Sequence, residues 1–167
     1  MESNEAFTEL GQIVDRLSKL SDALQDVISK QVEAVVSSNG DDIEQNVEDY
    51  TQLREVFKEQ EHKLVGHLRM MLNNAGISNV EVRLENLKEV YPNKGDTISG
   101  WQMNLEQQMI RLRKKHDKLN SLLEFAVEKN MQLMRSIYSL HNNKNTRYSA
   151  GGRKEEISSG IALNKEA

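Results

Sequence analysis

From Ile98 to His141 the chain runs through more than forty residues with no proline and with Gly100 as the sole glycine, while an apolar residue returns every seventh position: Ile98, Leu105, Leu112, Leu119, Ala126, Leu133 and Leu140. That recurrence places one continuous stripe on one face of a helix. At 1.5 Å per residue such a helix reaches about 65 Å. In a chain of 167 residues a rod of that length is not covered throughout by its own neighbours. The uncovered part is therefore a candidate surface for a partner.

Two further segments carry the same kind of stripe. A first helix is predicted from Asn4 to Val36, with Leu10, Leu17 and Leu24 at one heptad position and Ile13, Leu20 and Val27 at the other. Val14, Ile28 and Val35 broaden this face beyond a two-helix seam, so the helix should pack against more than one neighbour. Ser37-Ser38-Asn39-Gly40 breaks it; Gly40 is the residue expected to supply a positive φ, and Asp41 or Asp42 the cap of the next helix. This second helix, Asp42 to Asn74, carries Ile43, Tyr50, Phe57, Leu64 and Met71 and ends at Asn73-Asn74-Ala75-Gly76. Ser78 and Glu81 have the spacing of a capping box, which predicts a short helix using Leu84, Leu87 and Val90 and stopping before Pro92. Pro92 to Asp96 reads as a turn, and Asp96 or Thr97 caps the long helix.

These elements predict an all-α fold: an elongated antiparallel helical bundle with a long C-terminal helix, in one helical domain over residues 1–142. Residues 143–167, rich in Asn, Ser, Gly, Lys and Glu, are expected to form a flexible tail with Tyr148, Ile157, Ile161 and Leu163 as its large apolar residues. Aromatic residues are 5% of the chain and charged residues 29%, which suits thin helical layers. Residues 1–61 hold fifteen Asp or Glu against five Lys or Arg, and the remainder eleven against seventeen. Opposite balances suit neighbouring helices whose flanking charges complement each other. The dense basic cluster Arg111, Arg113, Lys114, Lys115 and Lys118 is accordingly expected to be a solvated face pairing with the acidic first two helices, and no nucleic-acid partner is expected.

Cysteine is absent, which excludes disulfides, thiolate metal sites and cysteine nucleophiles. The N-terminal residues lack an apolar core of the kind a signal peptide needs, and no run approaches a membrane span, so a soluble cytoplasmic protein without membrane insertion is expected. Glu59 and His62 have the Glu-x-x-His spacing of carboxylate-bridged metal bundles, with His67 nearby. Such sites need the motif twice, however, and no second copy exists. No phosphate-binding glycine loop follows a strand, and no strand is evident. Neither a catalytic residue nor a cofactor is expected. Met70, Met71, Met103, Met109, Met131 and Met134 place flexible, polarizable side chains along the helices, as surfaces that accept differently shaped apolar partners do. Trp101 is expected to pack in the core near the start of the long helix.

Leu119-Asn120-Ser121-Leu122-Leu123-Glu124, then Val127-Glu128-Lys129-Asn130, then Tyr148-Ser149-Ala150-Gly151-Gly152, resembles the FlgN family of flagellar type III export chaperones. In that family a C-terminal helix carries an Asn followed by a Leu pair, and the tail a Tyr with a Gly four residues later. The order of a helical hairpin, a short helix and a long helix is also similar. Ser149 stands where the family commonly has Gly, Asp or Asn.

The resemblance implies a cytoplasmic chaperone that holds the C-terminal helical segments of hook-associated proteins, the subunits of the hook-filament junction. It also implies delivery to the cytoplasmic domain of the flagellar export gate, with Tyr148 and Gly152 as docking elements. The expected client contacts lie on the distal long helix: Leu119, Leu123, Val127, Met131, Met134, Ile137 and Tyr138, with Asn120 and Asn130 hydrogen-bonding across the seam. The competing expectations are a structural coiled-coil protein that self-associates through the same heptads and, more remotely, a metal-bundle enzyme.

Overall fold

The computed structural model describes residues 2–77, 80–144, 146–148 and 154–156. Among them it contains four α-helices: α1 (Glu2–Val36), α2 (Gly40–Asn74), α3 (Leu87–Val90) and α4 (Gly95–Lys144). It divides into two units, residues 1–122 and 123–167. The boundary falls within α4, twenty residues before the expected one at 142, because the helix stops being packed there.

In the first unit α1 and α2 form a hairpin, and the proximal part of α4 runs alongside both, antiparallel to α2. The heptad leucines of α1 explain the arrangement: Leu10, Leu17 and Leu24 are buried together with Val14 and Ile28, so α1 faces two helices at once, as its broad stripe predicted. The turn differs from expectation in its details. Ser38, at φ 53°, takes the left-handed position expected of Gly40. Around it the amides of Ser38 and Asn39 donate to the carbonyls of Val35 and Ala34, the paired 5→2 and 6→1 bonds of a Schellman stop. Asn39, not Asp41 or Asp42, caps α2, its side chain accepting from the Asp42 amide. Gly40 starts the helix. At the far end of α2 the same motif recurs with Gly76 at φ 77° and Ile77 donating to Leu72.

Residues 80–83 are not helical; a 3-10 turn over Leu84–Asn86 leads into α3, and a second over Pro92–Lys94 leads into α4. The capping box expected at Ser78 therefore does not open a helix at Glu81, and Ser78 itself lies outside the described residues. What the segment contributes is Leu87, fully buried with Phe7, Leu10, Leu68, Met71, Leu72 and Ile98. Trp101 stacks on Phe7 with ring centroids 4.9 Å apart, and a Cβ on Gly11 would lie 3.0 Å from its indole ring. Gly11 is thus the small residue that admits Trp101.

A second cluster, Leu24, Ile28, Leu112 and Leu119, is flanked by Val32, Tyr50, Leu53 and Phe57. Between the clusters the α1–α4 seam is polar. The Gln108 side chain accepts from Ser21 (3.3 Å) and Gln25 (2.7 Å) and donates to Asp22 (3.0 Å), while Asn104 donates to Ser18 at 2.6 Å. Buried amides are tolerated only when paired, and paired ones fix the register of the helices that carry them. One register of α4 on α1 satisfies this set.

Lys115 reaches the Gln25 carbonyl (3.2 Å) and Ser29 hydroxyl (2.8 Å). Among the described residues no ion pair joins the basic cluster of α4 to α1 or α2; most ion pairs are local, such as Lys19–Asp15 and Lys63–Glu59. The expected charge pairing between the halves is therefore replaced by hydrogen bonds. The exposed geometry explains why: Arg111, Arg113, Lys114 and Lys118 all point to solvent, where pairing contributes little.

The second unit contains the rest of α4 and two strands the sequence did not announce, β1 (Thr146–Tyr148) and β2 (Lys154–Glu156). They pair antiparallel, Thr146 opposite Glu156 and Tyr148 opposite Lys154. Three-residue strands are too short to show a period-2 pattern. The rest of the expected flexible tail lies outside the described residues.

Candidate functional site

Along α4 the stripe changes environment within one turn. Ile98, Leu112 and Leu119 are buried and Leu105 is half-buried; from Leu123 to Leu140 the large apolar residues are 40 to 63% exposed. Nothing in the helix itself marks the change, because the heptad continues unaltered. It arises because α1 and α2 end at their turn, leaving no described helix to face the later residues.

The expected contact residues divide accordingly. Leu123, Val127, Met131, Met134, Ile137 and Tyr138 are all exposed. Leu119 is not available: it is 7% exposed and packs with Leu24, Ile28 and Leu112, so it belongs to the intramolecular core and its expected contact role is corrected. Asn120 and Asn130 are exposed, and no described residue hydrogen-bonds their side chains. At 100° per residue the exposed apolar positions cover an arc of about 180°, broader than a two-stranded seam. Asn130 falls near the middle of that arc, beside Leu123, Met134 and Ile137. Tyr148 lies in β1, and Gly152 lies outside the described residues.

Leu133 and Leu140 extend the strip; their heptad register made them legible. Phe125, 56% exposed, sits off the stripe and was missed. The Lys129 ammonium lies 5.4 Å from its ring centroid, covering one face of it. Of the expected methionines, Met71 is buried in the core while Met70, Met103, Met109, Met131 and Met134 are exposed.

The histidines do not converge. His67 is hydrogen-bonded to the Ala6 carbonyl at 2.7 Å and lies 3.9 Å from Glu9; His62 is exposed. His116 is hydrogen-bonded to Tyr50 in an edge-on contact at 5.3 Å. Among the described residues no group of three His, Asp or Glu is placed to hold a metal ion. Burial pushes the Tyr50 hydroxyl above its ordinary pKa of 10.0, with the Arg54 charge opposing. The Lys63 ammonium, by hydrogen bond and charge, holds the Glu59 carboxyl below its usual range. Both shifts belong to helix packing or surface pairing. No helix among the described residues is long and apolar enough to cross a membrane.

Comparison with protein-family models, curated proteins and solved structures finds no match to this chain.

Proposed function

We propose that this chain is a non-enzymatic export chaperone that binds the C-terminal helical segments of hook-associated proteins, keeps them from associating prematurely, and delivers them to the cytoplasmic domain of the flagellar export gate. The observation that carries the reading is the apolar strip from Leu123 to Leu140, left exposed on a helix whose preceding turns are buried. The FlgN-like residues Leu119 to Asn130 and Tyr148 direct it to this class of client.

A subunit that polymerises through amphipathic helices must hide them before assembly. A broad apolar arc on a preformed helix can take such a segment as an added helix. Burying a Leu, Ile or Met contributes about 1.5–3 kcal/mol each, much of it offset by the ordering of the partner. The net is a reversible complex, which suits a client that must later be released. The methionines widen the range of shapes accepted, and Asn130 favours partners that bring a polar group to the middle of the seam.

The test is co-purification with the C-terminal segments of the junction proteins. Leu123→Asp with Met134→Asp should abolish capture while leaving thermal stability unchanged, since both positions are exposed; capture undiminished by the double change removes the assignment. For gate docking, Tyr148→Ala should retain client yet lose export. Normal export by that variant rejects the role of Tyr148.

A further inference from the structure

On the first unit a groove of about 560 Å³ lies between α1 and α2, lined among others by Glu9, Ile13, Arg16, Gln60, Gly66 and Met70. It is separate from the α4 strip and plays no part in the function proposed above. Three observations make it more than the ordinary seam of a hairpin.

The first is Gln60. Its side chain is 3% exposed and lines the groove, yet no described residue hydrogen-bonds its amide, whereas Gln25 and Gln108, the comparable amides of the α1–α4 seam, are both bonded. A buried carboxamide has two N–H donors and a carbonyl to satisfy, and leaving them unmade is unfavourable. The second is Gly66, in the interior of α2. Glycine is the poorest helix former after proline, and neither backbone nor packing calls for it here: its φ is not positive, and an added Cβ would meet nothing within 4 Å. Gly11, by contrast, is held small by Trp101. What the missing side chain at Gly66 provides is room in the groove. The third is the placement of charge. Arg16, with no carboxylate within 4.0 Å among the described residues, stands at one end beside Lys63, which is itself paired to Glu59 at 2.7 Å. Glu9 stands at the other end, with His67 at 3.9 Å.

Glu9 and Arg16 are two helical turns apart, about 10 Å along α1. That is the length of about three extended residues. We infer that this groove binds a short extended peptide of a partner protein, its apolar side chain seated over Gly66 between Ile13 and Met70, its backbone amide paired with the Gln60 carboxamide, and an acidic side chain reaching Arg16. A peptide group offers a donor and an acceptor together, which is what an unbonded carboxamide can match. The neighbouring Glu9 selects for a basic residue at the opposite end.

The experiment titrates the full chain, isotopically labelled, with the end-blocked peptide acetyl-Lys-Gly-Leu-Gly-Glu-amide and monitors amide resonances. Saturable shifts are expected at the Gln60 side-chain NH2 and the Gly66 amide. Gly66→Leu should fill the groove and abolish them while keeping the helical circular dichroism. Arg16→Gln, at an exposed position that does not bear on folding, should weaken binding about tenfold, the scale of one charge-assisted hydrogen bond. Replacing the peptide's Glu by Gln should do the same. Absence of Gln60 shifts at saturating peptide, or equal binding to Gly66→Leu, overturns the site. Equal binding of the Glu and Gln peptides overturns the acidic-peptide assignment.

Discussion

Leu119 and Leu133 occupy the same heptad position of α4 two heptads apart, and their surroundings make them opposite kinds of residue. Leu119 sits among Leu24, Ile28 and Leu112, so Leu119→Ala should destabilise the fold by about 2–4 kcal/mol. Leu133→Ala, at an exposed site, should change stability by less than about 0.5 kcal/mol. Urea denaturation of the two variants measures both, and a comparable loss for each would show that the distal strip is packed. Tyr50 gives a pH-dependent counterpart. Its hydroxyl is held protonated above its ordinary pKa of 10.0 by burial, so the native state binds the proton more tightly than the unfolded chain does. The stabilisation is complete below that value and is lost as pH rises through the raised native pKa. Tyr50→Phe should therefore reduce stability at neutral pH, through loss of the hydrogen bond to His116, and flatten the decline at alkaline pH; stability curves of the two proteins from neutral to strongly alkaline pH compare directly. At this scale the sequence was a partial guide. Asn, Asp, Ser and Gly cluster at residues 37–42, which announces a turn, but several of them can cap or take a left-handed φ, and only the observed geometry chose Asn39 and Ser38.

At the scale of elements, α4 carries one heptad pattern through two environments. Up to Leu119 its apolar face is covered, its seam with α1 pinned by Gln108 and Asn104; beyond Leu122 its apolar side chains are exposed. Helical hydrogen bonds without tertiary support open readily. Amide hydrogen exchange should accordingly be slow over Leu105 to Leu119 and much faster over Leu123 to Leu140, and bound client should slow the second stretch alone. Equal protection along the whole helix in the absence of client would contradict this. The four helices were legible because each main one repeats its pattern over many turns. The exception was the segment between α2 and α4: its few apolar residues, Val82, Leu84, Leu87 and Val90, fit a helix on spacing alone, and packing against the first cluster decided in favour of 3-10 turns around a single short helix.

For the molecule as a whole, an exposed apolar strip invites either a client or a second copy, and the two readings differ in mass. The chaperone proposal requires a monomer, or at most weak association, in the absence of client; a structural coiled-coil protein requires a stable oligomer. Sedimentation of the purified chain over a wide concentration range discriminates. Leu133→Glu with Ile137→Glu should leave a monomer unchanged but would dissociate an oligomer built on the strip. Of the charge asymmetry, only the local part became structure. The acidic and basic halves do face one another through α1 and α4, but they meet by hydrogen bonds from Lys115 rather than by ion pairs, since solvent already stabilises charges at the rim.

Periodicity alone determined that this chain is helical, which faces of its helices are apolar, and where the main turns fall, because these depend on the spacing of residues along one helix. Whether an apolar face is core or surface depends on something outside that helix. Leu112, Leu119, Leu133 and Leu140 repeat in identical register, and what separates the buried pair from the exposed pair is the point at which α1 turns into α2. The unbonded amide of Gln60 and the space beside Gly66 were likewise invisible to any pattern, since each is defined by residues on a neighbouring helix. Tertiary packing decided which apolar positions were consumed in holding the fold and which were left for a partner.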